Sequence, residues 1–167
     1  MHEKAPAVED LASELGVRLK ALGKRVTTAE SCTGGLVAAA ITSVAGSSSW
    51  FDEAFVTYAN AAKLRRLGVS DQSLARDGAV SQAVVEQMAR GALEAAGADL
   101  AVAISGIAGP DGGSADKPVG TVWLAWASEQ GVTSRKLVFD GDRQAVRQQA
   151  TAAALQGLLE SPALNRA

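Results

Sequence analysis

One cysteine, one histidine, one tyrosine, three tryptophans and three phenylalanines are all that 167 residues contain of the side chains that most often carry metal, redox and stacking chemistry. The lone Cys32 excludes an intramolecular disulfide framework, a composition suited to a reducing cytoplasm. The lone His2 sits in a terminus expected to fray, which leaves a Ser-His-Asp triad without its base. Transition-metal sites need several nitrogen or sulfur ligands. Only a loosely held Mg²⁺ through Asp111 or Asp116 stays open, and neither a metal nor a cofactor is expected. Sparse aromatics argue against a base-stacking surface. The 16 basic and 18 acidic side chains give a net charge of -2 with no long block of either sign, so no nucleic-acid footprint is implied. No apolar run reaches the roughly 18 residues of a membrane span, and the start "MHEKAPAVED" has no apolar h-region. A cytoplasmic protein that touches no membrane is the expectation.

What the chain does have is apolar content, 47% of residues, enough for one domain over residues 1–167 with a core from about 8 to 160. Apolar residues at Val8, Leu11, Ala12, Leu15, Leu19 and Leu22 predict an amphipathic helix that Gly23 stops. "RVTTA" is β-prone, and "GGLVAAAITSVAG" predicts a helix from about Gly35 to Val44. A strand over Phe55–Tyr58 is expected to lead into a short helix "AAKLRRLG". Ser81 is the expected N-cap of a long helix carrying Val84, Val85, Met88, Ala92, Leu93 and Ala96 inward, with Gly97 closing it. "DLAVAIS" is a continuous apolar strand, followed by a Gly/Pro loop from Gly106 to Pro118. "VGTVWLAWAS" and "VTSRKLVFD" predict an antiparallel hairpin, and a last helix begins near Asp142 and ends about Glu160. The fold class is therefore α/β, a mixed β-sheet with helices packed on its faces. Alanine-rich helix faces and the Trp123/Trp126 strand leave a homo-oligomer open.

In such a layout strand-to-helix turns gather at one sheet edge, where ligands bind. "TTAESCTGG", Thr27 to Gly35, lies on one of these turns. A serine hydroxyl needs a base, and with histidine unavailable Lys63 is the candidate for Ser31, with the Tyr58 hydroxyl relaying or orienting the proton. Burial can bring a lysine down to a pKa of roughly 7–8. Backbone N–H groups around Thr33, Gly34 and Gly35 could hold an oxyanion. The plainer reading is a tight helix entry with Ser31 or Thr33 as N-cap, and residues alone leave both open. Cys32 reads as a small buried side chain. "SCTGG" is no P-loop, because it lacks the lysine. A phosphate would suit Ser105 and Gly106 in the loop together with Arg143 and Arg147 one helical turn apart; a solvated helix start is the alternative for those arginines.

Taken in order, "TAESCTGG", "VTYANAAK" with "LGV", "SGIAGPDGG" with "KPVGTVWLA", and "FDGDRQAVR" resemble the CinA C-terminal domain family over about Leu11 to Leu159. The resemblance implies hydrolysis of nicotinamide mononucleotide, a small-molecule nucleotide, to nicotinic acid mononucleotide and ammonia in NAD salvage. It implies a serine nucleophile with a lysine and a tyrosine, at Ser31, Lys63 and Tyr58, and an active-site loop at Ser105, Gly106, Gly109 and Pro110. The chain departs from the family pattern at Ser105, where threonine is common, at Ala59, where a small hydroxyl residue is common, and at Ala54, near a usual glycine. Two other functions compete: a non-catalytic nucleotide- or partner-binding module, and an amidase for a different small carboxamide.

Overall fold

A computed structural model describes residues 6–165, so His2 lies outside the described residues. The chain runs α1 (Val8–Leu22), β1 (Val26–Glu30), α2 (Leu36–Thr42), β2 (Phe55–Val56), α3 (Asn60–Leu67), α4 (Asp71–Asp77), α5 (Gln82–Ala96), β3 (Leu100–Gly106), β4 (Thr121–Ser128), β5 (Gly131–Val138), α6 (Arg143–Leu159) and α7 (Pro162–Asn165). One five-stranded sheet has the order β2-β1-β3-β4-β5. β1 runs parallel to β2 and β3, whereas β3–β4 and β4–β5 are antiparallel. The expected mixed sheet with helices on its faces is therefore present.

Strand side chains alternate between faces, and here the two faces differ in bulk. Leu100, Val102 and Ile104 of β3 join Val122, Leu124 and Trp126 of β4 in a core with α1, α2 and α6. The opposite face presents Ala29, Ala101, Ala103, Ala125 and Ala127 to Val84, Val85, Met88, Ala89 and Ala92 of α5. α3 packs in turn on α5. Gly91 permits that approach, since a Cβ there would lie 1.9 Å from the Leu67 carbonyl oxygen.

Local signals account for most boundaries. Gly23, Gly68 and Gly97 end α1, α3 and α5 in the left-handed conformation. Ser81 accepts from Val84 N and Asp142 from Ala145 N, both as helix caps. The hairpin forms with Ser128 opposite Gly131 across a two-residue turn.

Four expectations need correction. β2 stops at Val56 instead of Tyr58, because the carbonyls of Thr57 and Tyr58 turn to accept from Lys63 Nζ. α2 ends at Thr42, before Val44. α4, capped by Ser70 on Ser73 N, was not foreseen, and neither was α7. Trp126 is buried within the chain, its Nε1–H donating to the Ala154 carbonyl at 3.0 Å.

Candidate active site

Because β1, β2 and β3 are mutually parallel, their C-terminal ends lie at one sheet edge. Ser31 follows β1 there, its N–H donating to the Ile104 carbonyl of β3, while Thr57 N–H donates to the Glu30 carbonyl from the other side. The register thus sets Thr57, Ser31 and Ser105 in one row. All three are buried, and Thr57 Oγ1 has no hydrogen-bond partner among the described residues.

Lys63 reaches this row from α3. Its side chain is only 1% exposed, and its Nζ contacts Ser31 Oγ at 3.0 Å, the Thr57 carbonyl at 2.8 Å and the Tyr58 carbonyl at 3.0 Å. Carbonyl oxygens only accept. A neutral amine with its two N–H groups on those carbonyls directs its lone pair at Ser31 Oγ. Burial holds the Lys63 pKa below the ordinary lysine value, which favours that neutral form. The serine–lysine pair anticipated from the sequence is therefore in contact.

Tyr58 joins the pair in a different way from the one expected. It touches Lys63 through its backbone carbonyl, while its ring is 62% exposed and its hydroxyl accepts from Arg143 Nη2 at 3.3 Å. The hydroxyl makes no hydrogen bond to Lys63 or Ser31, so the expected proton relay is replaced by this arrangement, because the side chain leaves the sheet where β2 ends.

The turn after Ser31 is organised by a residue that sequence reasoning passed over. Glu30 is fully buried, and its Oε1 accepts from Thr33 Oγ1 at 2.7 Å, Gly35 N at 3.2 Å and Val37 N at 2.9 Å. Its Oε2 accepts from Thr28 Oγ1 at 3.1 Å and Ala38 N at 3.0 Å. The carboxylate satisfies the first N–H groups of α2 and complements its dipole. Neither Ser31 nor Thr33 caps the helix; Gly35 occupies the N-cap position at φ 105, with no side-chain cap of its own. The signal was a glutamate closing a β-prone run just ahead of a glycine pair.

This capping also redistributes the expected oxyanion donors. Gly34 N is committed to the Ser31 carbonyl at 3.0 Å and Gly35 N to Glu30. Among the described residues, the turn's N–H groups with no other residue as partner are those of Cys32 and Thr33. The Cys32 thiol, 6% exposed, is pushed up to about 11, chiefly by burial, which keeps it protonated near neutral pH.

The α6 arginines flank the turn. Arg147 donates from Nε to the Cys32 carbonyl at 3.0 Å and from Nη2 to the Thr33 carbonyl at 3.3 Å. Arg143 is exposed and donates from Nη1 to the Gly109 carbonyl at 2.9 Å, which ties the glycine-rich loop to the site. Neither guanidinium meets a carboxylate among the described residues. With Leu36, Asp142, Gln144 and Gln148 they line a groove of about 520 Å³. Ser105 lies inside the sheet, only 1% exposed, and Gly106 packs where a Cβ would stand 3.1 Å from Cys32 Sγ. Asp111 and Asp116 are exposed in the loop, and no three His, Cys, Asp or Glu side chains gather as a metal site among the described residues. No helix among them is long and apolar enough to cross a membrane.

The CinA C-terminal domain family matches residues 8–161. The chain is 60% identical to the nicotinamide-nucleotide amidohydrolase PncC of Enterobacter agglomerans, over 91% of this chain and 93% of that one. It is 61% identical to the protein of the same name from Escherichia coli (strain K12), over 89% and 90% respectively. The crystal structure of the competence/damage inducible protein CihA from Agrobacterium tumefaciens superimposes with a TM-score of 0.92 at 45% identity, covering 99% of this chain and 100% of that one. With that match across nearly every element and with the expected motifs gathered at one sheet edge, the chain belongs to the CinA C-terminal domain family.

Proposed function

We propose that this protein is an amidohydrolase that converts nicotinamide mononucleotide and water to nicotinic acid mononucleotide and ammonia. The observation that carries the reading is the 3.0 Å contact between Ser31 Oγ and the buried Lys63 Nζ. The high identity to two nicotinamide-nucleotide amidohydrolases supports the choice of substrate. Every group in the reaction comes from one domain.

Neutral Lys63 takes the Ser31 proton as Oγ bonds to the carboxamide carbon. The N–H groups of Cys32 and Thr33 receive the negative oxygen. Lys63 then returns the proton to the departing nitrogen as the C–N bond breaks and ammonia leaves. A water molecule repeats the sequence on the acyl-serine, with Lys63 accepting its proton, and the carboxylate product forms as Ser31 recovers its hydrogen. The pyridinium charge of the substrate makes its carboxamide carbon more electrophilic. Arg143, exposed and without a carboxylate partner among the described residues, supplies positive charge for the 5′-phosphate.

Ammonia release from nicotinamide mononucleotide and a panel of other carboxamides tests the assignment. Wild-type protein should release ammonia from the mononucleotide, and Ser31→Ala should abolish release while keeping the wild-type circular dichroism spectrum. Binding without release would indicate a nucleotide-binding module, and release only from other carboxamides would move the substrate assignment.

A further inference from the structure

The two arginines at the start of α6 differ in what they touch, and the difference assigns them different work. Arg143 bonds to the loop and to an exposed phenol. Arg147, half-buried, spends its donors on two consecutive carbonyls of the nucleophile turn, those of Cys32 and Thr33. A trans peptide carries its C=O and N–H on opposite edges, and the only cis bond among the described residues is Gly109–Pro110. Fixing the Cys32 carbonyl therefore fixes the Thr33 N–H in the opposite direction. That N–H has no partner among the described residues. The next peptide, held through the Thr33 carbonyl, carries the Gly34 N–H, which closes back on the Ser31 carbonyl at 3.0 Å.

The two sides of the turn are well separated in the fold. Arg147 stands on α6, which packs on the face of Leu100, Val102 and Ile104. The Ser31 hydroxyl is turned to Lys63 on α3, which belongs with α5 on the other face. An N–H aimed away from the guanidinium is thus aimed toward the side of the reacting hydroxyl. A cation on a carbonyl also draws electron density through the peptide and strengthens the N–H as a donor.

We propose that Arg147 is a positioning residue that acts through the Cys32–Thr33 peptide, orienting and polarising the Thr33 N–H that receives the oxyanion. This inference rests on the amidase reading and reassigns a residue that composition and spacing had grouped with phosphate binding. It also fits the fork of an arginine: two carbonyls in sequence are met by two nitrogens, Nε and Nη2, of one rigid planar group, a spacing that the single nitrogen of a lysine does not reproduce. Gly34 permits the approach, since a Cβ there would lie 3.2 Å from Arg147 Nη2.

The test is steady-state ammonia release by full-length Arg147→Met and Arg147→Lys, with nicotinamide mononucleotide and with the corresponding nucleoside lacking phosphate. The inference expects kcat to fall on the order of tenfold to a hundredfold for Arg147→Met, somewhat less than loss of a whole oxyanion donor, with KM nearly unchanged. Arg147→Lys should recover only part of that loss. A rise in KM confined to the phosphate-bearing substrate, with kcat intact, would assign Arg147 to the phosphate and overturn the proposal. Full recovery by lysine would do the same. Thermal melts establish that each variant is folded, and Arg147→Lys decides the matter if Arg147→Met is not. A readout that needs no turnover is the Thr33 amide ¹H–¹⁵N resonance, which should move in both variants. If wild-type protein releases no ammonia from the mononucleotide, the functional reading fails, while an unmoved Thr33 resonance sinks the positioning role separately.

Discussion

Replacing Glu30 with glutamine would change one atom in the best-satisfied polar group of the site, and the cost can be worked from its contacts. Glutamine can keep a carbonyl oxygen at the Oε1 position, where Thr33 Oγ1, Gly35 N and Val37 N donate. Its NH₂ then falls at the Oε2 position. There the Thr28 hydroxyl can rotate to accept, but the Ala38 N–H faces another donor. An N–H left without an acceptor costs about 1–3 kcal/mol, and the three retained bonds weaken from charge-assisted to neutral. Removing a charge from a fully buried position offsets part of this. The net expectation is a loss of about 3 kcal/mol, which in a domain of this size lowers Tm by roughly 6–12 °C. Circular dichroism melts of Glu30→Gln and wild type measure it, with Thr28→Val as a control that touches only one Oε2 contact and should cost about 1 kcal/mol. A fall in Tm under about 2 °C for Glu30→Gln would show that the carboxylate does not organise the turn as described.

Four further outcomes follow from the structure. If neutral Lys63 is the base, kcat should rise with pH through its lowered pKa and then level; a rate that falls across that range would remove lysine from the role. Between that lowered value and the ordinary 10.5 the unfolded chain binds the Lys63 proton and the folded chain does not, so stability should rise with pH across the window. Urea melts of wild type against Lys63→Met should show that slope only in the former. Gly91→Ala should destabilise by about 2 kcal/mol or more, because the new methyl would stand 1.9 Å from the Leu67 carbonyl; it should also lower kcat by displacing α3, and an unchanged melt would contradict the packing. Cys32, at about 11, should react slowly with iodoacetamide at pH 8, and Cys32→Ala should retain most ammonia release; rapid labelling would mean a thiolate that the burial forbids.

The elements legible in the sequence were those whose cause is local. α1 and α5 announce themselves by their apolar stripes, and Gly23, Gly68 and Gly97 by the left-handed residue that each helix end needs. Absence of a usable histidine left lysine as the base for Ser31, and the strand-to-helix junction shared with Tyr58 singled out Lys63. Glu30 was not, because its five donors come from both sides of a turn and converge only once β1 and α2 are set at their angle. Tyr58 was misjudged for a similar reason: the carbonyl, which sequence patterns do not display, makes the contact, and the side chain that drew attention points elsewhere. Arg147 illustrates the limit of charge spacing, which shows where a guanidinium stands but not that it faces backbone oxygens. α4 was missed because its segment "DQSLARD" has only Leu74 and Ala75 as apolar residues, too few to mark a helical stripe.

The alanine lining beneath α5 gives the molecule one thin wall and one thick one. Along the thick wall, aliphatic side chains of similar volume can be exchanged with modest local repacking, since the serine–lysine contact is on the other side. On the thin wall every added carbon at Ala101, Ala103 or Ala125 becomes a lever that lifts α5, and α3 with it. The amine that α3 carries would then withdraw from the hydroxyl it serves. Drift in these small residues should thus silence the chemistry before it unfolds the chain.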